Sequence, residues 1–77
     1  MIESKWIWFR FDGMSLSGKT KLFSVMTKGD DESLGTIRWY GHWRKYVFYP
    51  HVMTIYEQDC LRDIAAFLDE LIQERKQ

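Results

Sequence analysis

The segment LGTIRWYGHWRKYVFYP, residues 34–50, decides the fold of this 77-residue chain. Apolar side chains alternate with polar ones on both sides of a Gly-His pair at residues 41–42, which is typical of two β-strands joined by a turn. The pattern predicts strands over residues 35–40 and 43–49. The second strand ends at Pro50, which cannot donate to a strand ladder.

Two further strands are predicted before this hairpin, over residues 5–11 and 20–27. Side-chain type alternates with a period of two in both segments. Polar segments without helical periodicity separate the strands at residues 12–18 and 28–33. We therefore expect an antiparallel sheet built from consecutive strands.

The C-terminal part of the chain predicts one amphipathic helix that begins near Asp59. Its apolar stripe comprises Leu61, Ile64, Ala65, Phe67, Leu68, Leu71 and Ile72. The preceding residues 53–56 are interpreted as a short edge strand, although Thr54 and Glu57 also have capping-box spacing. The expected fold is a single α+β domain over residues 1–77, an antiparallel sheet of four to five strands with the helix packed on one face.

The overall composition argues against several classes of function. Eleven basic and eleven acidic side chains give a net charge of zero, so no bulk field favours nucleic acid or an anionic membrane. No apolar run reaches the roughly 20 residues of a membrane helix. A single cysteine, Cys60, forms no internal disulfide, and no secretory leader is visible. We expect a cytoplasmic protein.

Residues 13–20, GMSLSGKT, match the phosphate-loop pattern GxxxxGK[ST] letter for letter. A phosphate loop requires a helix after its Lys-Thr pair, whereas the residues after Thr20 alternate like a strand. The chain is also too short for the parallel sheet that carries such loops. We interpret these residues as a polar loop before a strand.

Catalytic and metal-binding constellations are weak in this sequence. Cys60, His42 and His51 are the residues from which a nucleophile and a base could be built, yet their spacing supports no such arrangement. A buried, inert cysteine is the commoner outcome at Cys60. No CxxC or HExxH motif is present. The sequence therefore predicts a protein that is not an enzyme and that needs no cofactor or metal.

The charges are unevenly distributed along the chain. Residues 33–56 hold three basic and no acidic side chains, whereas residues 57–77 hold three basic and six acidic ones. Flat rings interleaved with basic groups are suited to a base and a phosphate, because rings stack on bases and cations bind phosphate oxygens. The candidate ligand-binding residues are Trp39, Tyr40, Trp43, Arg44, Lys45 and Tyr49.

A structural role for the same rings remains open, since half of them must cover the helix. Strand alternation helps to separate the two roles. It turns Ile37, Trp39, Tyr46 and Phe48 towards the helix and Arg38, Tyr40, Lys45, Val47 and Tyr49 away from it. Exposed rings on the face turned away from the helix, including Trp8, would form an apolar patch of the kind that marks an interface.

The tryptophan hairpin resembles small uncharacterised proteins of phages and prophages that share a pattern LGxIxWYxxWRxYxFxP followed by a Leu-xx-Ile-xx-Phe helix. The resemblance covers about residues 18–72. It implies a compact sheet-plus-helix fold, a phage or mobile-element origin and hence the cytoplasm of a host cell. Such small phage products often bind host proteins or host signalling nucleotides without catalysing a reaction.

Taken together, the residues and the resemblance favour a non-enzymatic module that holds a nucleotide-like small molecule and so interferes with host defence. The rival hypothesis is an inhibitor or adaptor that binds a host protein through the same patch, because Trp, Tyr and Arg are the usual hot-spot residues. A chain this small also leaves sheet edges open. We therefore expect a homo-oligomer.

Overall fold

A computed structural model describes residues 4–75 as an antiparallel sheet with a helix packed on one face. The strands follow one another across the sheet in the order β1-β2-β3-β4. The expected α+β class is therefore confirmed, with four strands. The elements are β1 (Ile7–Met14), β2 (Lys21–Thr27), β3 (Ser33–Tyr40), β4 (Lys45–Pro50) and α1 (Gln58–Arg75).

The face of the sheet that packs against α1, the inner face, carries the core. Ile7, Val25 and Ile37 are almost completely buried there, because β-branched side chains stand upright on the pleat and meet the helix. The ring of Phe67 on α1 stacks on Phe9 at 4.0 Å and meets Phe23 edge-on at 4.9 Å. Aromatic rings therefore make much of the contact between helix and sheet.

The core stripe of α1 is rotated from its predicted position. Cys60, Ile64 and Leu71 are buried, whereas Leu61 is 52% exposed and Ala65 is exposed. The placement of Leu61 and Ala65 on the core side is therefore wrong. The sequence pattern did not include Cys60, which behaves as a small apolar residue and replaces Leu61 in the stripe.

The first strand continues beyond its predicted end. Residues 12–14 belong to β1 instead of the loop expected there, and the pairing with β2 shifts between Phe11 and Gly13. Gly13 has a φ of 120°, which a residue with a Cβ rarely adopts. It thus permits a bulge that leaves Asp12 without a partner residue on β2.

The residues with the phosphate-loop pattern form the turn between β1 and β2. Ser15 and Thr20 close this turn by a backbone hydrogen bond and by a hydrogen bond between their hydroxyl groups. The residue after Thr20 begins strand β2, as predicted, so no helix N-terminus stands behind Lys19.

The connection between β4 and α1 is not the expected edge strand. Residues 53–56 have no regular secondary structure. The carbonyl oxygen of Leu34 accepts hydrogen bonds from the His51 amide and the Tyr56 hydroxyl, which fix both ends of the connection. Glu57 caps the helix: its carboxylate accepts a hydrogen bond from the Cys60 amide at 2.7 Å, and this bond lowers the pKa of Glu57.

Candidate ligand surface on the outer face of the sheet

The side of β3 and β4 that faces away from α1, the outer face, is set by the strand register. Arg38 lies opposite Val47, and Tyr40 lies opposite Lys45. Since Ile37 and Tyr46 are buried in the core, their neighbours must point outward. The predicted separation of the two faces is confirmed.

The turn after Tyr40 differs from its predicted form. It contains four residues, 41–44, and is closed by hydrogen bonds from the Trp43 amide to the Tyr40 carbonyl and from the Arg44 amide to the Gly41 carbonyl. β4 consequently begins at Lys45 and not at Trp43. Trp43 therefore lies in the loop, where its side chain is 67% exposed.

Aromatic side chains from the strands and this loop surround one shallow cavity of about 290 Å³. The rings of Tyr40 and Trp43 meet edge-on with centroids 5.0 Å apart. Such edge-to-face contact fixes the orientation of the two rings relative to each other. The cavity is lined by Tyr40, Trp43, Val47, Phe48 and Tyr49.

Three cationic side chains accompany these rings. The guanidinium of Arg38 lies over the ring of Tyr49, 4.6 Å from its centroid. The side chains of Arg44 and Lys45 are exposed, and within residues 4–75 neither side chain makes a hydrogen bond or an ion pair. Their donors are therefore available to an anion at no cost in existing bonds.

Trp39 lies apart from the other predicted site residues. Its ring packs against Tyr46 at 5.4 Å and beneath the guanidinium of Arg75 at 4.2 Å, on the inner side of the sheet. The structure thus brings Tyr40, Trp43, Arg44, Lys45 and Tyr49 to one region and leaves Trp39 on the opposite face. Arg38 and Val47 join the site, and strand alternation alone could have selected them.

The carboxylate of Asp12 also lies on the outer face, on β1, which is separated from β3 by β2. Asp12 accepts hydrogen bonds from Ser24 and from Arg10 at 2.8 Å. Partial burial raises its pKa, but these two partners outweigh burial and leave the pKa below the usual value. Because Arg10 neutralises it, Asp12 contributes little repulsion at the candidate cavity.

Two larger cavities border α1 instead of the outer face. One of about 600 Å³ is lined by Phe23, Phe67, Leu71 and Gln73 together with the carboxylates of Asp69, Glu70 and Glu74. The other, of about 400 Å³, contains the ion pair of Lys21 with Glu74 at 2.7 Å. The three carboxylates of the first cavity repel an anion. The second cavity is lined by Lys19, Lys21 and Arg75 against one carboxylate. Two of these cations are already engaged there, because Lys21 pairs with Glu74 and Arg75 donates to the Lys19 carbonyl and lies over Trp39.

The groups considered for catalysis are separated in the fold. Cys60 is buried, and burial, together with the Glu57 carboxylate, raises the pKa of its thiol, which opposes formation of a nucleophilic thiolate. Ser33 Oγ lies 3.1 Å from Nε2 of His51, but both side chains are exposed at the sheet rim. Within residues 4–75, no three histidine, cysteine or carboxylate side chains are grouped so that they could hold a metal ion.

No helix within residues 4–75 is both long enough and apolar enough to cross a membrane.

Comparison with known proteins gives one informative relationship. The chain is 34% identical over 59 residues to an uncharacterised 9.3 kDa protein of Acholeplasma phage L2, a match that covers 77% of this chain and 76% of the phage protein. The chain belongs to the family of this phage protein. The relationship supports the resemblance to small phage proteins, while the hairpin pattern itself stays a prediction. No family model and no solved structure matches the chain.

Proposed function

We propose that this member of the phage family is a non-enzymatic binding module for an anionic aromatic ligand, a nucleotide or a nucleotide-derived signal. One observation carries the proposal: Tyr40, Trp43 and Tyr49 line a single cavity. Arg44 and Lys45 follow Trp43 directly in the chain, and within the described residues 4–75 their side chains make no hydrogen bond or ion pair. The segment that builds this cavity contains no carboxylate between residues 33 and 56. Rings and cations in this arrangement match the two halves of a nucleotide.

The size of the cavity indicates which part of such a ligand would lie inside it. At about 290 Å³ it lies just below the range for small-molecule sites, roughly 300–1,000 Å³. One base fits, stacked on the exposed ring of Trp43, and stacking of this kind contributes about 1–3 kcal/mol. The phosphate then lies outside the cavity, where Arg44 and Lys45 supply charge-assisted hydrogen bonds.

The conformation of Arg44 is consistent with a role in binding. Its φ of 54° lies in the left-handed region, which costs a residue with a side chain roughly 1–2 kcal/mol. Glycine would adopt this conformation without that cost. Strain of this kind persists where the surrounding structure enforces it, and residues with such strain cluster at functional sites.

Sequestration requires no chemistry on the ligand, so the proposal needs no catalytic group. A phage-encoded module that removes a signalling nucleotide from the host cytoplasm would interfere with a defence pathway that depends on that nucleotide. The fold suits this role because the open outer face gives a ligand direct access from solvent. The proposed location is therefore the cytoplasm of the infected cell.

Native mass spectrometry of the chain purified from a bacterial host tests the proposal, followed by calorimetric titration with ATP and with a cyclic dinucleotide. Arg44→Ala should weaken binding of the nucleotide that associates by about 1.5–3 kcal/mol, roughly 10–150-fold. Asp69→Ala is the matched control, because Asp69 is an exposed residue of α1 beside the acidic cavity. Normal nucleotide binding by Arg44→Ala, together with loss of binding in Asp69→Ala, would show that the site lies on the helix side and not on the outer face.

A protein inhibitor or adaptor is the second candidate function, and the connection between β4 and α1 favours it. Val52, Met53 and Ile55 are 90%, 96% and 89% exposed. Apolar side chains held in solvent on an anchored loop are typical of a contact surface for another protein. A stoichiometric host protein in the native mass spectrum, with no small molecule bound, would favour this candidate over the first.

A further inference from the structure

We infer that a second copy of this chain pairs with the first through β4, edge to edge and antiparallel, about a twofold axis at Val47. The two edges of the sheet differ. β1 carries the bulge at Asp12 and the charged Arg10, both of which discourage pairing. Between Lys45 and Pro50, β4 presents the uncharged, strand-favouring sequence YVFY in regular register with β3.

The backbone groups on the open side of β4 follow from one hydrogen bond. The His51 amide donates to the Leu34 carbonyl at 2.9 Å, and this hydrogen-bonded pair continues the β3–β4 register one residue beyond the Gly35–Pro50 pair. Hydrogen-bonded and non-hydrogen-bonded pairs alternate along an antiparallel ladder. Val47 and Tyr49 therefore direct their amides and carbonyls towards β3, while Tyr46 and Phe48 direct theirs towards the open edge.

Two features determine the register of the second copy: the alternation of side chains between the two faces of a strand, and the missing amide hydrogen of Pro50. Residues directly opposite one another in an antiparallel pair share a face, so the axis must pass through a residue and not between two. An axis at Phe48 would place Tyr46 opposite Pro50, which has no amide hydrogen. An axis at Val47 pairs Tyr46 with Phe48 of the second copy and uses every outward amide and carbonyl of both residues.

This register also makes complementary side-chain pairs. Lys45 comes opposite Tyr49 of the second copy on the outer face, where an ammonium beside a ring is favourable. The two Val47 side chains meet at the axis. The outer faces of both copies then form one continuous eight-stranded surface, so the two candidate ligand sites lie on the same side of the dimer.

The exposed connection between β4 and α1 adds buried area to the interface beyond what the pair of β4 strands provides. Stable interfaces bury at least about 1,200 Å² in total, more than one six-residue edge provides. The same register carries the segment after Pro50 of each copy towards the loop 41–44 of the other. Val52 and Met53, which are almost fully exposed in one copy, then lie next to this loop of the other copy and can add apolar area to the interface.

Sedimentation velocity of the full chain without nucleotide provides the first test, and it is independent of ligand binding. We expect twice the monomer mass at micromolar concentration, and a monomer would overturn the inference. Val47→Lys places like charges opposite each other at the axis and should weaken association by about fivefold, whereas the neutral Val47→Thr should not.

Cross-linking tests the register itself. Val47→Cys puts two thiols in a non-hydrogen-bonded pair with Cα atoms about 4.5 Å apart, within the range for a disulfide. Lys45→Cys and Tyr49→Cys should each fail to cross-link alone, because identical residues lie about 13 Å apart, but should cross-link when mixed. The parent, whose cysteine is buried, is the background control. Cross-linking of Tyr49→Cys alone as fast as Val47→Cys would refute the register.

Discussion

Replacing Arg44 by glycine should stabilise the fold and weaken ligand binding at the same time. The left-handed φ of 54° costs arginine roughly 1–2 kcal/mol, and glycine removes this cost. The greater freedom of glycine in the unfolded chain offsets about 0.5–1 kcal/mol. The side chain of Arg44 is exposed, so its removal takes away little packing. We expect a net gain of about 0.5–1 kcal/mol in the free energy of unfolding.

Urea denaturation followed by tryptophan fluorescence measures this gain, and for a domain of this size it corresponds to a rise in Tm of roughly 2–8 °C. Arg44→Ala is the matched variant, because alanine loses the same charge and keeps the left-handed strain. Its stability should stay within about 0.5 kcal/mol of the parent. Both variants should lose nucleotide affinity equally. A glycine variant no more stable than the alanine variant would refute the strain argument.

Three further outcomes are expected. Lys19→Ala should leave the free energy of unfolding and any nucleotide affinity within about 0.5 kcal/mol of the parent, since no helix follows the loop; loss of ATP binding would contradict this. Gly35→Ala should cost about 1–3 kcal/mol or more in urea denaturation, because a Cβ there would lie 2.9 Å from the Cα of Pro50 and closer still to the Tyr49 carbonyl; an unchanged midpoint would show that β4 can shift. The lowered pKa of Asp12 means that its stabilising effect is present above the usual value of 3.8 and is lost as the pH falls through the lower folded value. Asp12→Asn should therefore reduce the acid-induced loss of stability, and identical pH profiles for parent and variant would contradict the assignment.

Periodicity predicted most of the fold because both kinds of element bury only one face. The alternation around Ile37 and Tyr46 correctly separated the inner and outer faces of the hairpin. The errors lie where backbone conformation overrides side-chain pattern. The bulge at Asp12 depends on a positive φ at Gly13, and the four-residue turn depends on a positive φ at Arg44. Neither conformation leaves a signal in hydrophobic periodicity.

The candidate site was predictable in composition but not in shape. Excess positive charge and aromatic content indicated the hairpin, whereas the grouping of Tyr40, Trp43 and Tyr49 around one cavity depends on the turn that places Trp43 in the loop. Trp39 has the same residue type as Trp43 and a strand position between two outward residues. It therefore faces the helix. Composition alone could not distinguish it from Trp43, so both were predicted as ligand-binding residues.

The consecutive order of the strands affects how the chain folds during its synthesis. Each strand pairs with the one made just before it, so every ladder connects neighbouring segments. Hairpins form in about 1–10 μs, far faster than translation at roughly 5–20 residues per second. The sheet can therefore form before α1 docks against it. Until the helix docks, the inner face of the sheet, with Phe9, Phe23 and Ile37, stays uncovered. During that interval the chain exposes more apolar surface than the finished protein, which makes it more prone to aggregate.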